Sequence, residues 1–338
     1  MIEITLVLPF ALPPPELAPD LVRALQAPGL AALLSRTSAN RALAADSDAR
    51  ALPHELWLGR AIGLCDGRRL AFAAAAMRGF GLDPAGGAWM IVNPAHIEIS
   101  RTYLMMGDTR RLGLVDSHSR ALFDSAKPYF DDSGHTLLYG DAHTWFMRAG
   151  AWAALDTASP DATGGMNLTD WLPQGEHALD YRKLQNEVQM LWHQHPANVE
   201  REARGWPAIN SFWPWGAADA GDMPSAPFAC AGSPPWLSAI AQQHGSFAGL
   251  LAGADNPALF CDGRLAEAAL ATDWAGWLQH MQQLDQDTFM PLLDAVTSGR
   301  AARARLVLSH RNALAEFTTS AMAQRKFWRR PTLDRLLP

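Results

Sequence analysis

Residues 177–216 read HALDYRKLQNEVQMLWHQHPANVEREARGWPAINSFWPWG, and this stretch decides how the rest of the chain is read. Leu179, Leu184, Val188 and Leu191 recur at helical spacing, with Asp180, Arg182, Lys183 and Glu187 on the other side. That pattern predicts a long amphipathic helix. Pro196 ends it, because proline lacks the backbone N–H and disfavours helix in the residue before it. A second charged segment, Val199 to Arg204, stops at Gly205, a residue suited to the position after a helix end. AINSFWPWG then reads as a buried strand that leaves through a proline and glycine turn.

The order of these elements resembles a segment of the archaeal-type cofactor-independent phosphoglycerate mutases. The residues that carry the likeness are His195, Pro196, Asn198, Arg201, Gly205, Asn210, Trp213, Trp215 and Gly216. The chain is still more similar to the bacterial regulatory proteins of the RpfE type. LVLPFALPP, LPHELWLGRAIGL, WMIVNPAHIEIS and HTWFMRAG also fit that family. The resemblance implies an alkaline-phosphatase-like α/β fold, a mixed sheet flanked by helices with an inserted or second α/β subdomain.

It also implies a chemistry. Enzymes of that superfamily transfer phosphoryl groups through a serine, with two divalent metals held by Asp and His. Their cores open with a strand running into an Asp-Gly metal ligand, and an Asp-His pair follows late in the chain. Here the first strand runs into Pro9 and a proline-rich loop, and no Asp-His dipeptide occurs. By order the nearest equivalent is Ser309-His310 after ARLVLS, with serine where a metal-binding carboxylate would stand. A serine hydroxyl is a poor ligand for a hard cation compared with a carboxylate. The expectation is therefore a relative without catalysis, and no cofactor; Mn or Mg would be needed only if catalysis remained.

Composition bounds the alternatives. At 338 residues the chain can bury a substantial core in one or two domains. Apolar residues are 49% and charged residues 18%, the balance of a globular protein. A net charge of −6 argues against a general nucleic-acid partner, which would show a basic face. QRKFWRRPTLDR is locally basic and reads as a solvated helix end. No apolar run approaches the roughly 20 residues that span a bilayer, so no membrane partner is expected. Cys65, Cys230 and Cys261 are too sparse for a disulfide framework or a structural zinc site, and a reducing cytoplasm is the expected compartment. Most of the 13 tryptophans have apolar neighbours and read as core side chains.

Along the chain, Ile2 to Leu8 reads as a first strand, and Asp20 as the cap of a helix from Leu21 to Ser35. Ser38 to Ala51 reads as loop or weak helix. LPHELWLGRAIGL and RRLAFAAAAMRGFGL read as helices. AWMIVN, HIEIS and TYLMMG read as a small meander, HTLLYG and HTWFMRA as two strands across a turn at Gly140 and Asp141. ARLVLSH reads as the last strand and RNALAEFTTSAMAQRKFW as the last helix. DTASPDATGGM marks a boundary between an N-terminal α/β part, 1–155, and a phosphoglycerate-mutase-like and C-terminal part, 156–338; a single domain is the other possibility.

Four groups of residues could carry function. Ser309 and His310 are the catalytic candidates. His135, Asp141 and His143 could meet on a metal across a hairpin, or simply flank a polar turn. Arg201 and Arg204, near Asn210, Trp213 and Trp215, could form an anion pocket, since arginine binds phosphate through its planar fork; Glu200 and Glu202 could instead neutralise them. His195 and Asn198 belong to the same motif, either at a ligand or bonding loop backbone. No P-loop, dinucleotide-binding fingerprint or nucleophile elbow is present. Three functions remain: a non-catalytic regulatory or interaction protein with an unknown protein partner, a metal-dependent phosphomutase or phosphatase on a small phosphate monoester, and a sensor of a small phosphorylated metabolite.

Overall fold

A computed structural model describes residues 2–45, 49–100, 103–241, 243–253 and 258–338. The chain forms two compact units: residues 1–58, 226–233 and 241–338 make the first, 59–225 and 234–240 the second. The division expected at residue 155/156 falls inside the second unit, where Asp156 bridges to Gln174. The chain leaves the first unit along the helix Pro53–Ala61 and returns to it near residue 226.

The first unit is built on a seven-stranded mixed sheet. Its order is Gln243–His244, Ala229–Ala231, Ala258–Asp262, Ile2–Leu8, Ala301–His310, Ala313–Ser320 and Ala39–Ala44. The first five of these run parallel and the last two join antiparallel. Ile2–Leu8 lies in the middle, and Leu6, Val7 and Leu8 are fully buried, as the continuous apolar run of a parallel strand should be. The helices of this unit include Pro28–Ser35, Trp274–Leu284 and Met290–Thr297. This is the α/β class with a mixed sheet and flanking helices that the alternation of elements implied.

Three expectations change here. The helix expected over residues 21–35 is two helices, Ala18–Ala24 and Pro28–Ser35, because Pro28 lacks the N–H needed to continue the first. The exposed amides at the start of the second are capped from far away: Asp285 accepts from Gly29 N–H at 3.1 Å and Leu30 N–H at 2.8 Å. Ala39–Ala44, read as loop or weak helix, is an edge strand. Ala313–Ser320, read as the start of the last helix, is a strand in register with both Ala301–His310 and Ala39–Ala44. Only Ala321–Gln324 is helical in that stretch, its first turn capped by the Ser320 hydroxyl accepting from Ala323 N–H.

The second unit holds a four-stranded antiparallel sheet, Ser211–Asp219, Ala88–Ala95, Trp145–Arg148 and Leu137–Tyr139. Ala88–Ala95 pairs in this sheet, whereas Ile97–Ser100 and Tyr103–Met106 form a separate hairpin; the expected three-strand meander does not occur. The helices Asp116–Asp132 and Ala178–His193 pack on the sheet through Leu122, Phe130, Tyr181, Leu184, Val188 and Trp192. The buried face of Ala178–His193 is shifted from the expected one, since Leu179 is 73% exposed. Pro214 sits within Ser211–Asp219, which is tolerated because this strand is at the sheet edge. Gly216, at φ 67°, takes the break in register between Trp215 and Ala218. Eight tryptophans are buried across the two units, so their reading as core holds for these. Cys230 and Cys261 are buried as well, and Cys65 is half-buried.

Candidate functional site

In open parallel sheets, ligands bind beyond the carboxyl ends of the strands. In the first unit this places attention on the ends of Ala258–Asp262, Ile2–Leu8 and Ala301–His310, which lie side by side. Val7 is level with Cys261, and Leu8 with Leu308. The chain therefore brings Pro9-Phe10, Asp262 and Ser309 to one edge.

Phe10 turns the chain sharply at this edge. Its φ is 60°, a left-handed conformation that costs a residue with a side chain of order 1 kcal/mol. Three contacts hold it there. Phe10 N–H donates to Ser309 Oγ at 3.3 Å, Trp277 Nε1–H donates to the Phe10 carbonyl at 2.8 Å, and the ring meets His54 edge-on at 5.4 Å. Leu12 N–H donates to the Ser309 carbonyl at 2.9 Å, so the proline loop is stitched back onto the strand end.

Ser309 is fully buried, and its Oγ lies 3.0 Å from His54 Nδ1. His54 stands in the first turn of the helix Pro53–Ala61 and is 7% exposed. The serine thus does find a histidine, but not the one beside it. His310 follows Ser309 along a strand, so the two side chains point to opposite faces. Burial holds the His310 imidazole below its ordinary pKa, helped by Arg311 and opposed by Glu16. Neither His54 nor Phe10 carried a sequence signal as a site residue; the pairing spans 255 positions.

Asp262 is the carboxylate nearest this edge along the neighbouring strand. It is fully buried and gripped by Arg264, with Nε to Oδ1 at 3.0 Å and Nη2 to Oδ2 at 2.7 Å. Arg264 also reaches Asp287 at 2.8 Å. Burial raises the Asp262 carboxyl above its usual range, with Arg264 acting against that. Both oxygens are engaged by a fork-to-fork ion pair, so a cation at this carboxylate would compete with the guanidinium.

The donor set required for two divalent cations does not assemble at this edge. Among the described residues no group of three or more His, Cys, Asp or Glu side chains could hold a metal ion. The first strand, Ile2–Leu8, runs into Pro9 and Phe10, with no carboxylate at its end. His135, Asp141 and His143 are not brought together. His135 Nδ1 bonds the Arg148 carbonyl at 2.9 Å and packs on Trp152, whereas Asp141 accepts from His143 N–H in the turn at the other end of the two strands. Burial lowers the pKa of both histidines.

The residues of the organising motif are used by the second unit's own backbone. Arg201 is fully buried and donates to the carbonyls of Pro207, Leu112 and Gly113. Asn198 donates to the Trp192 and Ile209 carbonyls at 2.9 and 2.8 Å and accepts from Ile209 N–H at 2.8 Å. Asn210 pairs with both backbone groups of Ile97 at 2.8 Å. Trp213 donates to Ala158 O, and Trp215 to Asn93 Oδ1, each at 2.7 Å. His195 caps the following helix, its Nδ1 accepting from Ala197 N–H at 3.2 Å, which leaves the ring proton on Nε2. Arg204 is exposed and paired with Glu200. Of the two readings for Arg201 and Arg204, the geometry matches neutralisation by Glu200 for Arg204, while Arg201 is spent inward on carbonyls.

No family model matches the chain, and no curated protein does. Among solved structures, six chains match it. They include the cofactor-independent phosphoglycerate mutase from Thermoplasma acidophilum, at 15% identity over 95% of this chain and 90% of that one, with a TM-score of 0.43. They also include the PH0037 protein from Pyrococcus horikoshii, at 12% identity over 94% and 87%, with a TM-score of 0.54. The likeness to the Pyrococcus protein is one of fold.

Proposed function

We propose that this chain is a non-catalytic, phosphoglycerate-mutase-like protein that acts through regulation or interaction rather than through phosphoryl transfer. One observation carries the reading. The edge where the first strand and Ala301–His310 end is closed by Phe10, Ser309 and His54, with no open carboxylate pair between them. A buried hydroxyl whose oxygen already meets a backbone N–H and an imidazole is committed to holding a turn. It is poorly placed to attack a phosphate monoester, because Ser309 is fully buried and a substrate has no open approach to its oxygen. The sequence resemblance to the mutases and to RpfE-type proteins supports this reading.

The test is a calorimetric titration of the metal-free protein with Mn²⁺, paired with turnover assays on phosphoglycerate and an aromatic phosphate ester. Weak or no binding and no turnover are expected. Two tight sites with metal-dependent turnover would replace this reading by a phosphomutase or phosphatase.

A further inference from the structure

The C-terminal stretch Ala321 to Arg330 carries a surface feature that the strand-end site does not use. Phe327 is 82% exposed and Trp328 68% exposed, two of the most exposed large apolar side chains among the described residues. Their rings lie edge to face, 5.3 Å apart. Arg325, Arg329 and Arg330 are exposed around them, with Lys326 half-buried between. No acidic residue occurs from Phe317 to Leu333, and none of these four cations is ion-paired among the described residues.

This turn is held rigidly. Gln324, buried beneath it, donates to the Ala32 and Arg36 carbonyls and to Thr319 Oγ1. Lys326 Nζ donates to Thr37 O at 3.0 Å, and Arg36 Nε to Arg329 O at 3.3 Å. Ser35 Oγ donates to Thr332 O at 3.0 Å and accepts from Thr332 N–H at 2.9 Å. Arg329 Nη1 also donates to the Ser35 carbonyl at 3.4 Å. The backbone is held from below while two aromatic rings and the guanidinium groups of Arg325 and Arg330 face outward.

We propose that this turn is a peripheral docking point for an anionic lipid bilayer surface. Charge decides the sign of the partner: the chain as a whole is at −6, yet this segment is wholly basic. Size decides its kind. Two aromatic side chains offer about 150–250 Å² each, well short of the roughly 800 Å² per partner that a stable protein interface buries. A bilayer headgroup region asks for no matching concave surface. It accepts protruding Trp and Phe at the interface while arginine heads remain at the phosphates. The expectation of no membrane partner drew on the lack of a spanning segment, and a peripheral contact needs none. The inference does not rest on the absence of phosphoryl transfer, since the strand-end residues take no part in it.

The experiment is flotation of the full chain with vesicles of phosphatidylcholine containing roughly one-third phosphatidylglycerol, against pure phosphatidylcholine vesicles. Binding is expected only to the anionic vesicles and weakens as salt is raised. F327A/W328A and R325E/R330E should each lower it by roughly tenfold or more, with unchanged circular dichroism because these side chains are exposed. No binding, equal binding to both vesicles, or equal binding by the variants overturns the proposal. So does retention on a single-stranded oligonucleotide without vesicle binding, which would make the turn a nucleic-acid surface.

Discussion

His54 Nδ1 lies 3.0 Å from Ser309 Oγ, and the same oxygen accepts the Phe10 N–H at 3.3 Å. One buried hydroxyl thereby ties together a helix start, a strand end and a left-handed turn of the first unit. Removing it leaves a buried amide without its acceptor. Ser309→Ala is expected to cost about 1–3 kcal/mol, read from the guanidinium unfolding midpoint. In a double-mutant cycle with His54→Ala, the two losses should fall short of additive by about 1 kcal/mol. Strict additivity would mean that the pair does not interact.

Arg201 supplies a second test, because its role depends on shape as well as charge. A guanidinium fork reaches three carbonyls at once; an ammonium cannot. Arg201→Lys should therefore destabilise the second unit almost as much as Arg201→Ala, by roughly 2–4 kcal/mol. If lysine restores wild-type stability, the carbonyl network is not what the residue is for.

The two faces of the Ala178–His193 helix predict opposite outcomes for two leucines. Leu184 is 2% exposed inside the core cluster, and Leu184→Ala should cost about 2–5 kcal/mol. Leu179 is 73% exposed, and Leu179→Ala should fall within about 0.5 kcal/mol of wild type. Equal costs in chemical denaturation would place the helix in a different rotation.

Acidification should weaken the fold. Burial holds the folded-state pKa of His135 below its ordinary 6.5, with a smaller opposing effect of the Arg148 carbonyl and Asp180. The unfolded chain therefore binds more protons as pH falls through that value, and stability declines with it. His143 and His310 shift in the same direction. Asp262 and Asp285 shift upward, so they act oppositely, over the range from their unfolded value of 3.8 up to their folded values. Unfolding midpoints measured from about pH 7.5 to about pH 5.5 should fall, and less steeply in His135→Gln. A slope identical to wild type would remove His135 as a contributor.

Where the local code is strong, the sequence is legible. Pro196 and Gly205 bound the short helix Pro196–Ala203, with Gly205 at φ 75° just beyond its end. The first strand and the strand at Ser211 lie close to where their apolar runs put them. The site is legible only in part. Ser309 was visible as the residue standing where a carboxylate would be expected, while its partner His54 was not. The motif around His195, Asn198 and Arg201 was visible as a unit, but whether those groups faced a ligand or the backbone depended on which carbonyls lay within reach.

From the amino-acid order alone follow the α/β class, the apolar central strand, the punctuation by proline and glycine, and the locally basic stretch near the C-terminus, though not its turn. These depend on residues a few positions apart, where periodicity and backbone restrictions act directly. Only the tertiary structure decided that Ala313–Ser320 is a strand, that Ala39–Ala44 pairs beside it, and that His54 rather than His310 meets Ser309. Segments rich in alanine, serine and threonine have little preference of their own. Ala313–Ser320 takes its conformation from pairing on both sides, with Ala301–His310 across a tight turn and with Ala39–Ala44 more than 250 residues earlier, an energy that its own composition does not contain.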